Sequence, residues 1–131
     1  MEVADLLHNA VHNNVNFTVS VKPFGCMPSS SISDGVQSYI TEQFPNALFL
    51  PIETTGDGAV NVYSRLQMQL FKARRLARGE ADSALARHRM TEEEARSWLM
   101  AHPRLDKALY HPRQRHGSTA ADIFEEIGRR K

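Results

Sequence analysis

Apolar Val15, Phe17, Val19 and Val21 alternate with polar Asn16, Thr18, Ser20 and Lys22, the period of a strand with one buried face and one polar face. Such a strand lies near a sheet edge or is covered on its polar side by another region, because a central parallel strand is usually apolar on both faces. Before it, Val3, Leu6, Leu7, Ala10 and Val11 recur at helical spacing between Glu2 and Asn13, with His8 and His12 on the other face. After it, Ile32, Val36, Ile40 and Phe44 form an i, i+4 stripe on a helix that Ser31 and Asp34 open as a capping pair and Pro45-Asn46 ends. Leu48 to Ile52 predicts a second short strand, in which Pro51 cannot donate to a ladder and so marks a sheet edge or the strand's end. Strand, helix and strand in this order predict one right-handed βαβ unit.

A longer helix is expected from about Ala59 to Gly79. Val62, Leu66, Leu70, Ala73 and Ala77 make its stripe, Tyr63 and Phe71 widen it, and Lys72, Arg74, Arg75 and Arg78 gather toward its C-terminus, where cations complement the helix dipole. From Glu80 the βα alternation gives way to alanine-rich and charge-rich helical segments. Thr91 with Glu94 reads as a capping box for a helix that buries Ala95, Trp98 and Leu99 and stops at His102-Pro103. Leu105, Ala108 and Leu109 predict a further short helix, and His111 to Gly117 an exposed basic loop. Ser118 caps a last helix with Ala120, Ile123, Phe124 and Ile127 inward, fraying from Gly128. The expected architecture is α/β. Residues 1–79 form a small parallel βαβ core, a fragment of a Rossmann-like sheet, and 80–131 a helical appendage packed on that core through Trp98, Leu99, Ile123 and Phe124.

Composition narrows the function classes. The 131 residues, 41% of them hydrophobic, suit one small core with little to spare. Sixteen Lys and Arg against 15 Asp and Glu leave a net charge of +1, so no global field drives the chain onto nucleic acid or an anionic membrane. The basic stretch on the long helix lacks the aromatic platforms or recognition motif that nucleic-acid binding needs. A single cysteine excludes an internal disulfide, and no apolar run is long enough to span a bilayer, so a cytoplasmic location is expected.

Candidate chemistry gathers at Val19 to Ser31. The strand runs into a loop bounded by Pro23 and Pro28, which lack an amide donor and fix φ, with Gly25 as the permissive joint beside Cys26. Loops after neighbouring parallel strands emerge at the same carboxyl edge, where open α/β sheets bind ligands, so Cys26 and the Gly56-Asp57-Gly58 turn are expected to face one crevice. A glycine-rich turn before a helix can cradle phosphate through its amides; Asp57 competes for those amides as an N-cap, which leaves a phosphate or CoA contact and a purely structural turn as the two readings. Cys26 likewise has an ordinary reading, as a small core filler.

The run Val21-Lys22-Pro23-Phe24-Gly25-Cys26-Met27-Pro28-Ser29, then Asp34-Gly35-Val36-Gln37-Ser38, then the stretch from Pro51 through Gly56-Asp57-Gly58 to Met68, resembles the C-terminal part of the large activator-type proteins of the 2-hydroxyacyl-CoA dehydratase system, the CoA-substrate-specific activases. The resemblance covers about half of the chain, from Val15 to roughly Leu76. In that family an ATPase region of the acetate-kinase, sugar-kinase and actin type is joined to regions similar to the dehydratase subunits, which hold iron–sulfur clusters on cysteines. The resemblance implies a segment contributing to an iron–sulfur electron-transfer module for 2-hydroxyacyl-CoA dehydration. Its site residues would be Gly25, Cys26, Pro28, Gly56, Asp57 and Gly58, with Cys26 as the metal ligand. The chain departs from the family in having no ATPase motif and no second cysteine. Its partners would be other regions of a longer parent chain or a dehydratase, with no cluster and no catalysis expected of this chain alone. The alternative is a non-catalytic docking module of a larger multidomain protein.

Other chemistries find less support. His8 and His12 stand at metal-chelating i, i+4 spacing, but no acidic third ligand follows. They also precede the strand and fall toward its opposite end from Cys26, which argues against a Cys–His nucleophile. Ser29 to Ser31 lack the Gly-x-Ser-x-Gly elbow of a serine hydrolase.

Overall fold

The computed structural model describes residues 2–30, 34–54 and 58–131. Its elements are α1 (Glu2–His12), β1 (Phe17–Pro23), α2 (Asp34–Gln43), β2 (Leu48–Thr54), α3 (Ala59–Arg87), α4 (Glu92–Ala101) and α5 (Thr119–Arg130). The chain forms two compact units, Met1–Leu76 and Ala77–Lys131. The expected change of character at Glu80 falls near this division, inside α3.

The first unit is built on a two-stranded parallel sheet, Phe17 opposite Leu48 through Pro23 opposite Thr54, with α2 as the crossover. This is the expected small α/β core. Pro51 sits within β2 opposite Ser20, and the strand continues to Thr54; with two strands in the sheet among the described residues, each is an edge, where a missing donor is tolerated. The burial expected of β1 is corrected. Val15, Val19 and Val21 are exposed and Phe17 is only half-buried, while polar Ser20 is half-buried and Lys22 is buried. The cause is the helical cover. α2 packs on α1 and on β2, where Leu50 and Ile52 are buried, and among the described residues the apolar face continues onto β1 without comparable cover.

The helices of this unit follow the same logic. Leu6 is fully buried in α1 with Val3 and Ala10 half-buried, whereas Leu7 and Val11 face solvent beside His8 and His12. Asn13 takes φ 50° and lets the Asn14 N–H reach the Asn9 carbonyl, closing the helix with a left-handed cap. In α2 the inward row is Gln37, Ile40 and then Phe44, and Val36 is exposed, one position away from the expected stripe. Ser31 and Ile32, expected as cap and stripe residues, lie outside the described residues.

In α3, Val62, Leu66, Leu70 and Ala77 are half-buried and Ala73 is buried, as their spacing predicts, but Tyr63 and Phe71 are exposed. The helix does not end at Gly79. That residue is helical, with open space where a side chain would stand, and α3 continues to Arg87. Lys72, Arg74, Arg75 and Arg78 are therefore mid-helix, where the terminal dipole does not account for them. The real terminus is at Arg89, φ 48°, with the Met90 N–H bonded to the Leu85 carbonyl.

The second unit has its own core. Met90, Ala95 and Ile127 are buried together, and Leu85, Trp98, Leu99, Ile123 and Phe124 pack around them. Trp98, Leu99, Ile123 and Phe124 thus line the core of this unit. The Thr91–Glu94 capping box opens α4, with both reciprocal hydrogen bonds formed at 3.2 and 3.1 Å. The short helix expected at Leu105 to Leu109 is replaced by turns, and Leu109 is exposed; Pro103 and Pro112 bracket a segment with too few apolar residues to anchor a helix. Ser118 caps α5, Ala121 takes the inward place expected of Ala120, and the helix runs through Gly128 to Arg130.

Candidate functional site

β1 ends at Pro23, and the chain turns at Gly25, whose φ of +71° lies in the left-handed region open to glycine. The Cys26 N–H bonds back to the Pro23 carbonyl at 3.2 Å, and the Cys26 carbonyl accepts from the Ser30 N–H at 2.9 Å. Cys26 therefore starts a helical turn, with Pro28 in the first turn, where its missing donor is harmless. The Pro-bounded loop expected here takes the form of a turn directly after the strand. Cys26 is half-buried, and its Sγ lies 3.4 Å from the Oγ of buried Ser29.

A polar triplet ties this turn to β2. The Lys22 side chain, at the end of β1, is only 2% exposed, with its Nζ 3.4 Å from Glu53 Oε1 and 3.5 Å from Ser30 Oγ; Ser30 in turn donates to Glu53 at 3.3 Å. Thr54 adds a bond from its Oγ1 to the Lys22 carbonyl at 3.2 Å. A buried ammonium is tolerated because an opposite charge and a hydroxyl stand beside it. Alternation marked Lys22 as outward-facing, and nothing in its local sequence pairs it with Glu53, so this anchor was missed.

The carboxyl edge of the sheet opens into a crevice of ≈ 330 Å³ lined by Lys22, Phe24, Glu53, Gly58, Asn61 and Arg65, among others. Phe24 comes from the Cys26 turn, and Gly58 directly precedes α3, whose first turn forms as the Val62 N–H bonds to the Gly58 carbonyl at 2.9 Å. One crevice therefore receives residues from both loops. Gly25, Cys26 and Pro28 stand beside it without lining it, and Gly56 and Asp57 lie outside the described residues. Arg65 donates to the Pro51 carbonyl at 3.1 Å, which fixes the crevice wall to β2.

No family model, curated protein or solved structure matches this chain. The site is therefore read from its own donors. An iron–sulfur cluster takes several thiolates. Cys26 is the only thiol in the chain, and among the described residues no three His, Cys, Asp or Glu side chains gather as a metal site. Cys26 therefore offers a single thiolate, and further thiolate ligands would have to come from another region or chain. The His8 and His12 rings lie tilted against each other, centroids 4.4 Å apart, with a His12 Nδ1 contact to the His8 carbonyl at 2.9 Å.

A second polar cluster, in the second unit, escaped the sequence reading because its acids sit on the inner face of α5. Asp122 is buried and accepts the backbone N–H groups of Arg115 and His116, both at 3.0 Å. Burial nevertheless pushes its carboxyl above the ordinary aspartate value, against the lowering effect of those two donors. Glu125 is buried too. Burial works to raise its carboxyl, but the His88 hydrogen bond at 3.1 Å and the nearby Arg87, His88 and His116 outweigh it, and the net shift is downward.

Proposed function

We propose that this chain is a segment of a CoA-substrate-specific activase or dehydratase-related protein. In this reading its sheet edge presents Cys26 to cysteine-bearing regions of a longer parent chain or of a dehydratase partner, as part of an iron–sulfur module for 2-hydroxyacyl-CoA dehydration. The observation that carries the reading is the Cys26 turn itself: a half-buried thiol at the carboxyl end of a parallel strand, held by the Lys22–Ser30–Glu53 tie. A thiolate from this chain is one donor, and the remaining donors come from the partner. Gly25 and Pro28 shape the turn, and Gly58, which lines the crevice, would contact a CoA or phosphate group together with Gly56 and Asp57.

Anaerobic reconstitution with iron and sulfide, with this chain mixed with a 2-hydroxyacyl-CoA dehydratase, tests the proposal. Iron retained in the complex is expected to fall when Cys26→Ser replaces the wild type. Equal iron with both chains would contradict it.

A specific observation favours a second reading, a non-catalytic docking module. Val21, Phe24 and Met27 are 63%, 73% and 77% exposed around the same turn, a concentration of large apolar side chains that marks contact surfaces. Under that reading Phe24→Ala weakens association with the dehydratase, while Cys26→Ser leaves both association and iron unchanged.

A further inference from the structure

Within the second unit, a cavity of ≈ 290 Å³ is walled by four arginines, Arg113, Arg115, Arg129 and Arg130, and by the carboxylates of Asp122, Glu125 and Glu126. The acids are already engaged. Glu125 is paired with Arg87, with His88 at 3.1 Å and with Arg129 at 3.6 Å. Glu126 is paired with Arg130 and accepts from the Tyr110 hydroxyl. Asp122 is held by the two backbone N–H groups of Arg115 and His116. Arg113 and Arg115 are left over: both side chains are exposed at the cavity, and neither guanidinium has a hydrogen bond or ion pair among the described residues.

The geometry points to a binding site for a phosphate monoester, gripped by the Arg113 and Arg115 guanidinium groups. The match is one of charge and hydrogen-bonding chemistry. A phosphate monoester carries about −1.5 to −2 at neutral pH, which two otherwise unpaired guanidiniums balance, whereas a carboxylate would leave one of them uncompensated. Guanidinium forks also pair bidentately with phosphate oxygens. The loop bearing both arginines is pinned by Asp122 through the backbone of Arg115 and His116, so less ordering remains to be done on binding. The cavity has room for a small phosphorylated molecule, and the ion pairs of Glu125 and Glu126 and the backbone hydrogen bonds of Asp122 give the three carboxylates partners other than the ligand.

The test is an amide NMR titration of the whole chain with inorganic phosphate, at low salt and pH 7.5, beside a titration with acetate. Phosphate is expected to give saturable shifts confined to residues 110–130, with acetate weaker by about tenfold. The Arg113→Gln, Arg115→Gln pair is expected to weaken phosphate by about tenfold or more, and the Arg113→Lys, Arg115→Lys pair, which keeps charge and loses the forks, by severalfold. Arg74→Gln with Arg75→Gln removes the same charge from α3 and is expected to change nothing. Shifts that do not saturate, acetate binding as tight as phosphate, or unaltered affinity in both the glutamine and the lysine pairs at 113 and 115 would overturn the assignment. So would an equal loss in the Arg74, Arg75 variant, which would reduce it to net charge.

Discussion

Gly128 stands where a side chain does not fit: a Cβ there would overlap the His88 ring. Alanine favours a helix interior over glycine by about 1 kcal/mol, which alone would make Gly128→Ala stabilising. Here the overlap decides the sign. Moving His88 aside would also loosen its bond to buried Glu125, so Gly128→Ala is expected to destabilise the second unit by about 1–3 kcal/mol, read as a lower urea midpoint. An unchanged or raised midpoint would show that His88 yields freely. Gln37 presents the opposite case. It is 1% exposed, and neither its Oε1 nor its Nε2 has a hydrogen-bond partner. An unsatisfied buried amide costs about 1–3 kcal/mol, so Gln37→Met, of similar length, is expected to raise the thermal midpoint; a loss of stability would mean that the amide is satisfied in solution. Glu125 sets a pH dependence. Its carboxyl is held below the ordinary 4.5, so the stability it contributes is fully present above that value and is lost as pH falls through its lowered folded pKa. The wild-type advantage over Glu125→Gln, measured by denaturant unfolding, is therefore expected to shrink between neutral pH and pH 3. A constant gap would contradict the assignment.

Among the elements, the capping box of α4 is the clearest local signal. Both of its hydrogen bonds form, and Thr91→Ala is expected to cost about 1 kcal/mol, visible as earlier amide exchange in α4; exchange unchanged from wild type would remove the box as a contributor. This cap, the Ser118 cap, the parallel β1–β2 order and the start of α3 near Ala59 were legible because each rests on contacts within a few residues or on chain order. What was not legible depends on tertiary cover. The alternation of β1 identified a strand but not which of its faces would be enclosed, since that depends on where α2 packs. Gly79 was read as a helix stop, yet glycine only weakens a helix, and α3 continues through it. Ala120 and Ala121 exchanged places because a difference of one position in α5 turns the helix by about 100°. At the candidate site, the Cys26 turn and Gly58 were legible from Pro, Gly and strand order, whereas the burial of Lys22 and its partnership with Glu53 join residues 31 positions apart, beyond the reach of any local pattern.

For the whole molecule, the near-neutral charge and the division at Leu76 frame the functional reading. The stretch that carries the resemblance, Val15 to Leu76, lies within the first unit together with Cys26, while the arginine cavity belongs to the second. No described helix is long and apolar enough to cross a membrane. The two candidate sites thus make separable claims.

Native-state thiol labelling distinguishes a Cys26 presented at the sheet edge, as the proposed donor must be, from one held in the core. A presented Cys26 is expected to react with an aromatic disulfide reagent in buffer without denaturant. Lys22→Met, which removes the ammonium beside Ser30 and Glu53, is expected to change that rate by severalfold as the turn loosens. A thiol that stays inert until the chain unfolds, at a rate that follows global unfolding, would contradict it and leave Cys26 as part of the core.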